Sequence, residues 1–141
     1  MRRALPAAAL LALAACAGAQ RPAGAGARGD ARCPALSARA SAVLDRALDE
    51  YLEGMRRYAA ARDGASTAPA EARARARAVE WKALHRPELE RGCGAWAPDT
   101  LACALEADSA RALGDCGPEA AALVSSYTDD VVAAFASSPL R

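Results

Sequence analysis

The chain has a single histidine, His85, in 141 residues. That excludes the two-histidine and three-histidine catalytic metal sets within one chain. It also lacks any close cysteine pair, since the gaps separating Cys33, Cys93, Cys103 and Cys116 are 60, 10 and 13 residues. Structural zinc uses pairs of the C-x₂₋₄-C kind and a thioredoxin-like redox role needs C-x-x-C; Cys93-Gly94-Ala95-Trp96 supplies only half of one. There is no excess of charge of one sign, with 18 Lys and Arg against 17 Asp and Glu. A nucleic-acid or polyanion partner is therefore not suggested. No strand alternation and no internal repeat is present, and no group of residues rises to a catalytic or cofactor signature. The expectation is no enzyme, no cofactor and no metal.

What is present begins with an address. Met1-Arg2-Arg3 is a short basic start, followed from Ala4 to Ala15 by an uncharged Ala/Leu run broken only by Pro6. The run is too short to span a bilayer as a helix of roughly 20 residues and reads as a signal peptide, residues 1–15. It ends in Leu13-Ala14-Ala15-Cys16, which resembles the lipobox of bacterial prolipoproteins: a leucine, two small residues, then the cysteine that is lipidated and becomes the first residue of the mature chain. The resemblance implies acylation of Cys16 and attachment to the membrane. Ala17 stands where enteric lipoproteins retained at the inner membrane carry aspartate, so it points to the outer membrane, facing the periplasm. The alternative is cleavage after Ala17-Gly18-Ala19, which would leave a soluble periplasmic or secreted protein.

Residues 16–32 hold Gly, Pro, Ala and Arg with no large apolar side chain. Such a segment cannot offset its ordering entropy and is expected to be a tether, with a reach of about 20–25 Å by random-coil scaling. Without Arg2 and Arg3 the balance becomes 16 basic against 17 acidic residues. The charges are unevenly placed. Nine Lys/Arg against five Asp/Glu lie between Arg56 and Arg91, and Arg111 alone against seven Asp/Glu between Gly92 and Leu140, which predicts two faces that meet within the fold.

The folded domain is expected over 33–141. Pro34 suits a first helical turn, and Leu36, Ala40, Val43, Leu44, Leu48, Tyr51, Leu52 and Met55 recur at three- and four-residue steps, predicting one long amphipathic helix to about Arg62. Ser66 or Thr67 is positioned to cap a second helix before Pro69. On that helix Ala74, Ala78, Trp81 and Leu84 are expected to face the core, because Trp81 carries more area than several methyls. Pro87 should break or kink it after His85, which would satisfy the final carbonyls, with Glu88 to Arg91 carrying it one turn further. Glu71 and Arg75 form an i,i+4 pair, and Arg73, Arg75 and Arg77 are too spread to form a phosphate-binding stripe. A short helix from Pro98 to near Asp108, a brief turn capped by Ser109 and a closing helix from Pro118 complete an all-α, disulfide-stapled bundle.

Four cysteines in an exported, alanine-rich domain predict two disulfides. Of three possible pairings, folding the short hairpin back about Asp108 favours Cys93 with Cys116 and Cys33 with Cys103. Trp96 is then either the plug of the hairpin or a surface anchor for a partner. The order Cys, Trp, Cys, Cys resembles that of uncharacterised exported helical proteins of high-GC Gram-negative bacteria, a family with no assigned activity. The functional expectation is a lipid-anchored envelope protein acting as a non-enzymatic interaction or structural module on an unidentified envelope protein. The alternative is a periplasmic chaperone-like or stress-response protein with an exposed apolar surface. Oligomeric state stays open.

Overall fold

A computed structural model of the chain describes residues 30–62 and 64–137. The expected signal peptide, Cys16, the tether as far as residue 29 and residues 138–141 lie outside the described residues. Among the described residues there are five α-helices, no strand and two disulfides, a small stapled all-α bundle.

Helix α1, Cys33–Arg62, starts from a turn in which the Cys33 N–H donates to the Asp30 carbonyl at 2.9 Å. Its buried stripe runs Leu36, Ala40, Val43, Leu44, Leu48, Leu52 and Ala59, the three- and four-residue spacing that one face of a helix requires. Fully burying one of these leucines contributes about 2 kcal/mol. The helix stops at Gly64, whose φ of 68° is left-handed and whose N–H reaches back to the Ala59 carbonyl at 3.0 Å.

Helix α2, Ala68–Gly92, returns along α1. Thr67 does not cap it with its side chain; the hydroxyl donates to Glu71, and Ser66 Oγ takes the Ala68 N–H only at 3.4 Å. Pro87 lies inside a helix that runs on through Glu88 to Arg91, as expected, without a break. Proline removes one helical donor, and the Ala83 carbonyl that would have received it belongs to an exposed residue. The core face also differs from expectation. Ala70, Ala74, Ala78 and Trp81 are buried, but Leu84 is 64% exposed. At about 100° per residue Leu84 stands about 120° from Ala78 whereas His85 stands about 20° from it, so the histidine takes the place expected of the leucine.

A 3-10 turn, Cys93–Ala95, leads to α3, Pro98–Glu106, and α4, Ala110–Gly114, which is capped by Ser109 Oγ accepting the Ala112 N–H at 3.2 Å. Two arginines of α1 hold this hairpin by the carbonyls its first helix leaves open: Arg39 donates to Leu105 at 3.0 Å and Arg46 to Asp108 at 2.7 Å. Helix α5, Pro118–Ala136, then packs antiparallel to α2, with Trp81 against Ser126 and Arg77 against Asp130. It runs parallel to α1, with Tyr51 against Phe135. One core cluster, around Cys33, Leu36, Cys93, Leu101 and Leu113, fills the hairpin end. A second, around Leu48, Leu52, Ala74, Trp81, Tyr127 and Phe135, fills the three long helices.

The disulfide pairing corrects the expected one. Cys33 is joined to Cys93 and Cys103 to Cys116, each with Cα atoms 5.5 Å apart. The reason is length. Because α2 does not stop at Pro87, its 25 residues retrace most of the 30 of α1 and bring Cys93 level with Cys33. Helix α4 is a five-residue piece, so after the reversal near Asp108 the chain rises only as far as Cys103 before reaching Cys116.

Two outcomes follow from these constraints. Chain-entropy arithmetic assigns the bridge spanning 60 residues about 4 kcal/mol and the bridge spanning 13 about 3 kcal/mol. The Cys33/Cys93 pair is wholly buried while Cys103 is exposed. Titration with a thiol reductant should therefore open Cys103–Cys116 first, and peptide mapping without reduction should recover these two pairs and no Cys33–Cys103 peptide. Gly117, at φ 155°, would place an alanine Cβ 2.6 Å from Thr100 Oγ1. Gly117→Ala should cost about 2 kcal/mol in denaturant unfolding, and an unchanged midpoint would show that α3 and α5 meet differently.

Candidate functional site

The chemistry-bearing residues collect along α2 where it faces α5. Trp81 donates from Nε1 to Ser126 Oγ at 3.1 Å and stands edge-on to Tyr127, with ring centroids 5.2 Å apart. His85 lies one turn further, stacked on Trp81 at 4.3 Å, with Nδ1 3.3 Å from Glu88 Oε2. It does not serve the final carbonyls of its helix, as expected, because α2 continues to Gly92. The hollow beside it, lined by Ser37, Ser41, Lys82 and Arg86 among others, has a volume of about 10 Å³. That is roughly the space of one water molecule, too little for a substrate.

The charges of α2 are answered mainly by α1 and not by the acidic C-terminal half. Lys82 meets Asp45 at 2.6 Å and Arg75 meets Asp49 at 2.8 Å. Arg77 reaches Asp130 at 2.7 Å, the one such link between the basic and acidic segments among the described residues. The expected Glu71–Arg75 pair does not form. Glu71 instead takes the Thr67 hydroxyl and Arg56 at 3.0 Å, which together hold its carboxyl below the usual carboxylate range. Exposed pairs of this kind contribute at most about 1 kcal/mol each.

Of the residues singled out from sequence, Cys16 lies outside the described residues, and the four other cysteines are all in disulfides. Among the described residues no three His, Cys, Asp or Glu side chains gather in a way that could hold a metal ion. Trp96 is half-buried against the cluster formed by Cys33, Cys93 and Leu101, so it closes the hairpin end while staying partly accessible.

The spacing of the closing helix places Tyr127 on its apolar face, as found, and sequence reasoning missed only the setting of its hydroxyl. The residue is 3% exposed and its hydroxyl has no hydrogen-bond partner among the described residues. Burial, reinforced by Asp45 and Asp49, pushes the phenol up to about 12. Nothing in the sequence marks this tyrosine apart from its place on the apolar side of α5, because the carboxylates that face it come from α1, some 80 residues earlier. Tyr127 also lines a groove between α1 and α5 with Leu44, Leu48, Tyr51, Val131 and Val132, of about 170 Å³. Comparison of the chain with family models, with curated proteins and with solved structures gives no match.

The buried phenol makes stability fall at alkaline pH. In the unfolded chain Tyr127 ionises near 10, while in the fold it stays neutral to about 12. Its contribution is complete below pH 10 and is lost as pH rises through 12. Tyr127→Phe should flatten that part of the stability profile. Because an unpartnered buried hydroxyl costs about 1–3 kcal/mol, the variant should be as stable as the parent or more so near neutral pH. A phenylalanine variant with the same alkaline slope would assign the loss to another group.

Proposed function

We propose that the chain is a lipid-anchored protein of the bacterial cell envelope, attached through Cys16 to the outer membrane on its periplasmic side, and that its helical domain is a non-enzymatic interaction or structural module. The observation that carries the reading is the pair of disulfides, which consume Cys33, Cys93, Cys103 and Cys116 and leave Cys16 as the single cysteine outside them. Structural disulfides belong to an oxidising, exported setting. The remaining cysteine occupies the lipobox-like position of Leu13-Ala14-Ala15-Cys16. No helix among the described residues is long and apolar enough to cross a membrane, so an acyl anchor would supply membrane attachment.

The chaperone-like alternative wants a contiguous exposed apolar face. Among the described residues the large exposed apolar side chains are Tyr58 on α1, Val79 and Leu84 on α2 and Val132 on α5, each apart from the others along the sequence and spread over three helices. Scattered exposure of this kind is ordinary for a folded surface and favours the module reading. Trp96, partly accessible and packed on the cluster that holds the buried bridge, is the side chain best placed to anchor a protein partner.

Fractionation tests the anchor. The native chain should sediment with membranes and label with a radioactive fatty acid, and Cys16→Ser should move it to the soluble fraction. A native chain that is already soluble and begins at Gln20 would replace the reading with that of a secreted protein.

A further inference from the structure

Of the three long helices, α2 lies close to both others, whereas α1 and α5 meet chiefly through side chains such as the edge-to-face rings of Tyr51 and Phe135, 5.6 Å apart. The wedge between them is the groove of about 170 Å³, floored by Leu44, Leu48, Tyr51 and Val131, with Val132 38% exposed at its edge. An apolar cavity of roughly 150 Å³ is enough to take a benzene-sized solute. Ala47 and Ala110 belong both to this groove and to a second hollow of about 160 Å³, lined by Arg46, Glu50, Asp108 and Arg111. The two adjoin across these alanines as the two sides of a trough, one apolar and the other lined by two arginines and two acidic residues. Both sides lie along the same stretch of α1, from Val43 to Tyr51, eight helical steps or about 12 Å.

The polar side has donors and acceptors to spare. Arg46 uses one nitrogen, on the Asp108 carbonyl. Arg111 is 93% exposed, and its nearest carboxylate, Asp115, is 3.9 Å away. Glu50 takes part in no ion pair or side-chain hydrogen bond among the described residues. A head group of one sign would meet like charge as well as opposite charge in this hollow. One that carries both signs would meet a partner for each.

We propose that the trough binds a single-chain amphiphile with a zwitterionic phosphate-and-ammonium head. The chain lies along Leu44, Leu48, Tyr51 and Val132, the phosphate is taken by Arg46 and Arg111, and the ammonium faces Glu50. Each methylene buried strengthens binding roughly fourfold, and a guanidinium fork matches phosphate oxygens. The binding requires only the helical domain, and holds whether or not Cys16 is acylated.

The test uses the full chain carrying Cys16→Ser, so that no acyl group of its own competes, and follows side-chain methyl resonances during titration with octylphosphocholine below its micelle-forming concentration. Saturable shifts confined to Leu44, Leu48, Val131 and Val132 are expected, with Kd on the order of 1 mM. Octanol, with the same chain and no charge, should bind about threefold more weakly. Arg111→Gln should reduce that advantage while leaving octanol unaffected, and Val132→Glu should weaken both ligands at least about tenfold by placing a charge against the chain. Both substitutions are at exposed positions, and thermal melting of each variant checks that it is folded. Absence of saturable shifts, shifts elsewhere on the molecule, or octanol binding as tightly as octylphosphocholine would overturn the proposal. A concentration-dependent dimer abolished by Val132→Glu would overturn it too, by giving the groove to a second copy of the chain.

Discussion

The fold depends on the clamp between Cys33 and Cys93, which ties the first residue of α1 to the residue just past the end of α2. Two antiparallel helices of 30 and 25 residues joined at one end by a short connection would otherwise be free to splay at the other. The bridge closes that end, and both sulfur-bearing residues are wholly buried. Around them pack Leu36, Leu101 and Leu113, so the α3–α4 hairpin is assembled on the clamp as much as on the helices. The second bridge, Cys103–Cys116, then fixes the hairpin internally and determines where α5 departs. Gly117 follows immediately, in a conformation that brings its backbone against Thr100 with no room for a side chain.

Much of this was legible in the sequence, and the reasons divide cleanly. Helices α1 and α5 announce themselves because their apolar residues recur with a helical period and are large enough to identify a face, as Leu36, Leu44, Leu48 and Leu52 do on α1. The caps were legible where chemistry is local, as at Ser109 and at the prolines opening α3 and α5. Helix α2 was harder. A run of alternating alanine and arginine has almost no amphipathic signal, and extending the face from Trp81 to Leu84 followed the hydrophobic residue when the angle favoured His85.

The pairing of the cysteines was not legible because it depends on lengths that accumulate over the whole helix pair. Expecting α1 to outrun α2 places Cys33 past the end of its neighbour and level with Cys103, and a misjudgement of one turn in that length is enough to exchange both partners. The candidate trough was invisible for a related reason. Its walls come from α1, the start of α4 and α5, and neither Val132 nor Arg111 differs in sequence context from any other surface valine or arginine.

The trough is itself a consequence of the composition of α2. That helix presents Ala70, Ala74 and Ala78 to its neighbours, all essentially without solvent exposure, and small residues let backbones approach closely. Both α1 and α5 can therefore settle on α2. Where α1 and α5 face each other they carry Leu44, Leu48, Tyr51, Tyr127, Val131 and Phe135, whose bulk holds the helices apart. An alanine seam on one member of a three-helix bundle and large side chains on the other two give two tight edges and one wide one. Substituting larger apolar residues into the seam would push the tight edges open, and the core could then close only by repacking. The wide edge belongs to the same packing solution that lets an alanine-rich chain fold, and a binding trough placed there requires no departure from it.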